Sequence, residues 1–204
     1  MKNKLILISG VPGVGKTTLA FKVANYLNID QVISTDFIRE ISKSVLLENS
    51  NPFLFSVTHE SWKILGNKTS ENIIRGSLMH ARSIFPQLLY LIKKSENEGR
   101  DLIIEGVHLI PEFISYLKDV DMDITYCYLY LEKREEHIRR FDLKNNKRKF
   151  FHTKWYDNYD TIKIIDSFNL KEARLRDLSV LENNDLDFSL KMISSGVKNE
   201  LFSC

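Results

Sequence analysis

Gly10-Val11-Pro12-Gly13-Val14-Gly15-Lys16-Thr17 follows the apolar run Leu5-Ile6-Leu7-Ile8 and precedes a stretch with Leu19, Val23 and Leu27 at helical spacing. The eight residues fit G-x-x-x-x-G-K-[S/T], and the flanks read as a buried strand before and an amphipathic helix after. Each part has a physical task. Glycines let the backbone curl so that its N–H groups point inward at a polyphosphate. The helix that follows contributes the positive end of its dipole. Lys16 is placed to reach the β- and γ-phosphates, the Thr17 hydroxyl to hold Mg²⁺, and Thr18 to lie near the α-phosphate. The backbone of Gly10, Val11, Pro12, Gly13, Val14 and Gly15 makes the rest of the cradle.

Outward from this loop, short apolar runs alternate with longer helical patterns. Leu5–Ile8, Val32–Ser34, Leu102–Ile104, Ile124–Leu131 and Leu178–Leu181 read as strands of a parallel sheet covered on both faces. Helices are expected over Lys16–Leu27, over Asp36–Leu46 with Ile38, Ile41 and Val45 inward, and over Ser70–Lys94, bent or divided near Pro86. Pro111 opens another, and Asp157–Ala173 and Asp187–Ile193 follow. The pattern predicts an α/β P-loop fold in one domain, a five-stranded parallel sheet with helices on both faces. Two segments exceed the minimal plan, a helical insert over 47–98 and a basic segment over 132–155. Inserts at strand ends are where such folds carry specificity.

Composition narrows the classes. The 204 residues are 43% hydrophobic and 27% charged, with a net charge of +2, which suits a globular chain and not a disordered one. A charge so close to balance argues against a nucleic-acid partner. Two cysteines, Cys127 and Cys204, support neither a disulfide scaffold nor a metal cluster. No apolar run is long enough to cross a membrane, and the N-terminal run breaks at Ser9-Gly10, too early for a signal peptide. A soluble, cytoplasmic protein is expected; its oligomeric state is left open between monomer and homodimer.

A switch GTPase would need an Asn-Lys-x-Asp guanine reader and an Asp-x-x-Gly switch. Asn146-Lys147-Arg148-Lys149 and Asn67-Lys68-Thr69-Ser70 lack the aspartate, and Asp-x-x-Gly does not occur. A large motor ATPase needs more chain. A small kinase fits, with an acceptor site after the second strand and an arginine-rich lid. Asp36, just past that strand, faces the crevice and is placed to accept the proton of an attacking hydroxyl; capping the next helix is its alternative role. Arg39, one turn on, is a candidate for an anionic group of the acceptor. Glu105 ends the third strand where a carboxylate would organise Mg²⁺ through water, or it is a solvated loop acid. His108 follows as a candidate substrate contact. Over Glu132–His152 eight Lys and Arg face four acids. Arginines closing over a phosphoryl group in flight stabilise its charge and exclude water. Arg134 and Arg139 lead that role, then Arg140 and Arg148. The interleaved Phe141, Phe150, Phe151 and Trp155 keep a solvated face or an RNA arm as alternatives.

Ser34-Thr35-Asp36-x-Ile38-Arg39-Glu40 and Ile104-Glu105-Gly106-Val107-His108-Leu109-Ile110-Pro111 resemble the 2-phosphoglycerate kinase family of archaea. Thr58-His59-Glu60-Ser61-Trp62-Lys63 and Glu182-Asn183-Asn184-Asp185-x-Asp187-x-Ser189 are similar more weakly, so the resemblance runs over about residues 5–193. It implies ATP, Mg²⁺ and phosphoryl transfer to a hydroxyl of a small phosphorylated acid. The sequence departs from that pattern in Val11-Pro12-Gly13, where Thr/Ser-Ser-Gly is frequent, and in Phe188, where a charged residue is expected. Methanogen-type members carry an additional N-terminal domain, whereas this sequence begins at the first strand. On resemblance and length, the short mevalonate 3-phosphate 5-kinase branch supplies the leading acceptor and 2-phosphoglycerate the alternative. The longer, methylated acceptor needs apolar lining, for which Phe53, Phe55, Trp62, Leu65, Leu78, Met79 and Phe85 are available, although such residues more often build core. On this plan Asn183 and the loop after it approach the adenine, Arg140 contacts ATP, and Arg39 with Arg75 or Arg82 holds the acceptor. The rival classes are a kinase of RNA or protein and a non-catalytic ATP-binding regulator.

Overall fold

The computed structural model describes residues 2–146 and 154–196. Lys147, Arg148, Lys149, Phe150, Phe151, His152 and Cys204, which the sequence reading singled out, lie outside them. Among the described residues five strands form one parallel sheet: β1 (Lys4–Ser9), β2 (Val32–Ser34), β3 (Leu102–Glu105), β4 (Asp123–Tyr130) and β5 (Ser179–Glu182). Their order is β2-β3-β1-β4-β5. Continuous apolar runs suit this arrangement because alternate residues feed opposite faces. Leu5 and Leu7 of β1, with Leu102, Ile104 and Tyr128, enter one core; Ile6 and Ile8, with Ile103, Cys127 and Leu129, enter the other. Each fully buried leucine or isoleucine contributes about 2 kcal/mol of transfer free energy.

Helix α1 (Lys16–Leu27) closes the second core with Leu19 and Val23, and ends on Asn28 in the left-handed conformation. Helix α2 (Thr35–Val45) departs from expectation on one face. Ile38 is buried, but Ile41 and Val45 are 67% and 77% exposed. Thr35, Ile38 and Ser42 make the inward row instead, because the neighbours packed on α2, not its own apolar residues, select the buried face. The insert contributes α3 (Pro52–Phe55), α4 (Ser70–Arg82) and α5 (Phe85–Asn97). The stretch expected over Ser70–Lys94 is therefore divided. Pro86, with no N–H to donate, sits in the first turn of α5, where none is needed. Pro111 opens a 3₁₀ segment, Pro111–Leu117. Helices α6 (Arg134–Asn146), α7 (Lys154–Asp157), α8 (Tyr159–Leu175) and α9 (Leu186–Ser194) complete the described chain.

The register positions the site. Glu105 of β3 lies opposite both Ile8 of β1 and Ser34 of β2. The chain ends of these three strands are thus level, and the residues that follow each of them emerge at one edge of the sheet. A separate cavity of about 390 Å³ lies toward the other end of β4, among Leu117, Ile124, Leu178, Met192 and Ile193. Its lining is mainly apolar. Burial pushes the Cys127 thiol in its floor up to about 12, which leaves it without nucleophilic character at neutral pH.

Candidate active site

At the level sheet edge the P-loop residues and the acid of β3 meet directly. The Thr17 hydroxyl donates to Glu105 Oε1 at 3.0 Å, across 88 residues of sequence. Glu105 is 4% exposed. Lys16 Nζ donates to the Val11 carbonyl at 2.9 Å, its amine folded over the loop. Burial pushes the Lys16 amine below the usual lysine value, and the Glu105 and Asp36 carboxylates oppose that shift. A hydroxyl beside a carboxylate is a hard-oxygen donor set that fits Mg²⁺. Among the described residues there is no group of three or more His, Cys, Asp or Glu able to hold a metal. A cation here would complete its shell with water and nucleotide phosphates, as Mg²⁺ prefers.

Asp36 lies two residues beyond the end of β2, in the exposed first turn of α2. The cap of α2 is Ser34, whose Oγ accepts the Asp36 N–H at 3.3 Å. The Asp36 carboxylate is therefore not consumed in capping.

Opposite this edge, α6 lies on the P-loop. Gly13 has φ +88°, and a Cβ there would come within 2.5 Å of Phe141 Cε1 and 2.9 Å of His137 Cδ2. Glycine is thus required for the contact as well as for the turn. His137 Nε2 donates to the Pro12 carbonyl at 2.6 Å. Burial pushes the His137 ring below its ordinary value, against the Pro12 carbonyl, so the neutral form is favoured. Arg140 donates to Glu136 Oε1 at 2.7 Å, to the Val14 carbonyl at 3.2 Å and to the Asn183 carbonyl at 2.6 Å. Asn183 Nδ2 donates to the same Val14 carbonyl at 2.8 Å, and Ser189 Oγ donates to Asn183 Oδ1 at 2.8 Å.

Arg140 and Asn183, expected on the nucleotide, thus have their polar atoms engaged in bracing the loop. Both also line a cleft of about 420 Å³, together with Gly15, Lys16, Thr18, Arg139 and Asn184. Arg139 is exposed at its rim and makes a two-point contact with Glu136, at 2.7 and 2.8 Å. Hydrogen bonds from Arg139 and Arg140 bring the Glu136 carboxyl down to about 2. Arg134 does not face this cleft; its guanidinium lies over the Tyr159 ring at 4.7 Å.

On the acceptor side the expectations are partly corrected. Arg39 Nη1 donates to the Ser56 carbonyl at 2.8 Å, tying α2 to the insert, and its other arm meets Glu40. Arg75 is exposed on α4. Arg82 is half-exposed and paired at two points with Glu112, at 3.1 and 2.6 Å. His108 is fully buried, and its two nitrogens lie 2.8 Å from Thr35 Oγ1 and 3.0 Å from His80 Nε2. It cannot touch a substrate in this arrangement. Phe53 and Phe85 are core, and Phe55, Trp62 and Leu78 pack against core. The gap nearest the P-loop on this side is only about 10 Å³, lined by Val11, Thr58, Val107, Ile162, Ile165 and Asn169. The sequence gives Thr35 only as part of the Ser34–Glu40 block, with no role, and does not single out His80 or His137. No spacing marks them, since their partners lie 27 to 125 residues away.

The sheet order, the P-loop and the acid at the end of β3 define a P-loop kinase fold. Two solved structures share it: shikimate kinase from Acinetobacter baumannii (TM-score 0.53, 17% identity, 98% of this chain and 96% of that one) and a gluconokinase from Sinorhizobium meliloti (0.51, 12%, 95% and 90%). The model of the ATPase family associated with various cellular activities (AAA) matches residues 6–104, the span from the P-loop strand to β3. Mevalonate-3-phosphate 5-kinase of Thermoplasma acidophilum is 32% identical over 72% of this chain and 70% of its own length. The 2-phosphoglycerate kinases of Methanopyrus kandleri and Pyrococcus furiosus are each 30% identical over 97% and 95% of this chain. The chain spans 61% and 63% of the length of those two proteins. It belongs to the family of P-loop small-molecule kinases that includes this mevalonate-3-phosphate 5-kinase, and it is similar to the archaeal 2-phosphoglycerate kinases.

Proposed function

We propose that this chain transfers the γ-phosphoryl group of ATP to a hydroxyl of a small phosphorylated hydroxy acid. The observation that carries the reading is the convergence at one sheet edge of Lys16, the Thr17–Glu105 pair and an uncapped carboxylate, Asp36. In a phosphoryl transfer the protein's work is positioning and charge stabilisation. The loop amides and Lys16 hold the β- and γ-phosphates. Thr17 and Glu105 would hold Mg²⁺, which neutralises charge on the phosphate oxygens when bound. Asp36 takes the proton as the acceptor oxygen bonds to the γ-phosphorus, and the β–γ bridging oxygen leaves on ADP. Arg139, at the rim of the cleft, is placed to meet the charge spread over the phosphoryl oxygens.

Mevalonate 3-phosphate is the leading acceptor, transferring to its primary hydroxyl. The Thermoplasma relative, matched over 70% of its length, supports it. The second reading is 2-phosphoglycerate, favoured by relatives aligned over nearly the whole of this chain. Cytoplasmic location and a small-molecule partner, with neither nucleic acid nor membrane, belong to the same proposal. Among the described residues no helix is long and apolar enough to cross a membrane.

The test is ADP release with Mg²⁺·ATP and a panel of mevalonate 3-phosphate, mevalonate, 2-phosphoglycerate, 3-phosphoglycerate, AMP and shikimate. Turnover with one of the phosphorylated acids supports the reading, and which one responds selects the acceptor. ATP binding with no turnover of any panel member sinks it. Asp36→Asn should lower kcat by about 10²- to 10⁴-fold with ATP affinity kept, as expected for loss of a positioned base.

A further inference from the structure

Thr35, His108 and His80 are buried, at 0%, 0% and 1% exposure, and none of them is used by the chemistry above. They form a continuous line. Thr35 Oγ1 lies 2.8 Å from His108 Nδ1, His108 Nε2 lies 3.0 Å from His80 Nε2, and His80 Nδ1 lies 2.8 Å from the Phe53 carbonyl. The hydrogens on this line follow from its end. A carbonyl only accepts, so His80 Nδ1 donates to Phe53. With the ring neutral, His80 Nε2 then accepts, and His108 Nε2 donates to it. That leaves His108 Nδ1 to accept the Thr35 hydroxyl. A proton added to His80 would set two N–H groups against each other or reverse every bond that follows, and burial penalises the added charge.

The line crosses three parts of the molecule. Thr35 begins α2, His108 is in the loop after β3, and Phe53 and His80 belong to α3 and α4 of the insert. Gly106, at φ +153°, leaves the space for it, since a Cβ there would stand 1.7 Å from Thr35 Oγ1. Asp36 is the next residue after Thr35, and the Arg39–Ser56 bond ties the same helix to the same insert.

We propose that His80 and His108 are positioning residues: the one-directional chain Thr35→His108→His80→Phe53 fixes the first turn of α2, and so Asp36, to the acceptor-side insert. This rests on the reading of Asp36 as the base. The chain predicts that insert placement and base placement are a single unit, so an insert displaced by a wrong acceptor would also misplace the base. A misplacement of about 1 Å at a reacting group costs on the order of 100-fold in rate.

The experiment has two arms. In the first, Thr35→Val, which replaces a hydroxyl by a methyl, and Thr35→Ser, which keeps the hydroxyl, are assayed with the acceptor the wild type turns over. Thr35→Val should lose about 10- to 100-fold in kcat with ATP affinity unchanged. Thr35→Ser should stay within about threefold of wild type. A Thr35→Val protein with wild-type kcat, or a Thr35→Ser protein as slow as Thr35→Val, overturns the proposal. In the second arm, long-range ¹H–¹⁵N NMR reads the ring tautomers. His80 protonated at Nδ1 and His108 at Nε2 support the chain; the opposite tautomer at either ring overturns it. If the wild type turns over no acceptor, the kinase reading falls, and the tautomer pattern decides the chain without it.

Discussion

Lowering the pH from 7 to 5 should destabilise this protein through its buried imidazoles, well before its carboxylates titrate. Burial brings the His80 ring down to about 4, with the Phe53 carbonyl opposing, and holds His108 well below the ordinary 6.5. Both rings therefore stay neutral in the folded chain at pH 5, while the unfolded chain binds nearly a full proton at each. Stability that is complete above the unfolded value near 6.5 is lost as pH falls toward 4. Between pH 7 and 5 each such ring costs about 2 kcal/mol, so the pair costs about 4 kcal/mol. His137, lowered by burial as well, adds in the same direction. Carboxylates, with unfolded values of about 4, stay ionised in both states across this window and contribute little. A loss of this size is a large share of the 5 to 15 kcal/mol that holds an ordinary domain together. Urea unfolding at pH 7 and pH 5, compared as extrapolated free energies at constant slope, measures it. A difference below about 1 kcal/mol would refute the reasoning, since it would mean that the rings take up protons while folded.

Gly13→Ala places a Cβ against Phe141 and His137 at φ +88°. It should cost about 2 to 4 kcal/mol and weaken ATP binding at least tenfold, read by thermal unfolding and by nucleotide titration. An unchanged melting temperature would show that α6 does not need this glycine. Glu105→Gln removes the charge beside the Thr17 hydroxyl, and should raise the Mg²⁺ concentration needed for half-maximal turnover while Mg²⁺-free nucleotide binding is kept; an unshifted Mg²⁺ titration speaks against the pair as the cation site. Arg82→Ala breaks only a half-exposed pair with Glu112, and should cost under about 1 kcal/mol and leave the acceptor KM unchanged. A tenfold rise in that KM would return Arg82 to the acceptor site.

The resemblance to archaeal 2-phosphoglycerate kinases rests on short blocks, and the comparisons agree with it over 146 to 200 aligned residues. The Ser34–Glu40 and Ile104–Pro111 segments carry side chains whose function needs neighbours in sequence as well as in space. The block around His108 shows the limit of that inference. Its position beyond Glu105 suggested a substrate contact, yet the ring is buried among Thr35 and His80, residues 73 and 28 positions away. Arg140 and Asn183, expected at the nucleotide, line the cleft beside the phosphate loop and also hold the Val14 carbonyl, a bracing role that no spacing in the sequence shows.

The sequence by itself determined the P-loop, the five strands and the helix after the loop, Lys16–Leu27 to the residue, whereas α6 was legible only as a basic segment. These depend on interactions within a few positions: glycines that permit positive φ, apolar runs that must be covered, prolines with no N–H to donate. It also determined which residue types end β2 and β3 at the ligand edge. Only the tertiary structure decided which face of α2 is buried, that Ser34 caps in place of Asp36, and which arginines are already paired. A capping bond, a salt bridge or a buried imidazole is settled by whichever partner the fold brings within about 3 Å, and that partner is usually remote in sequence.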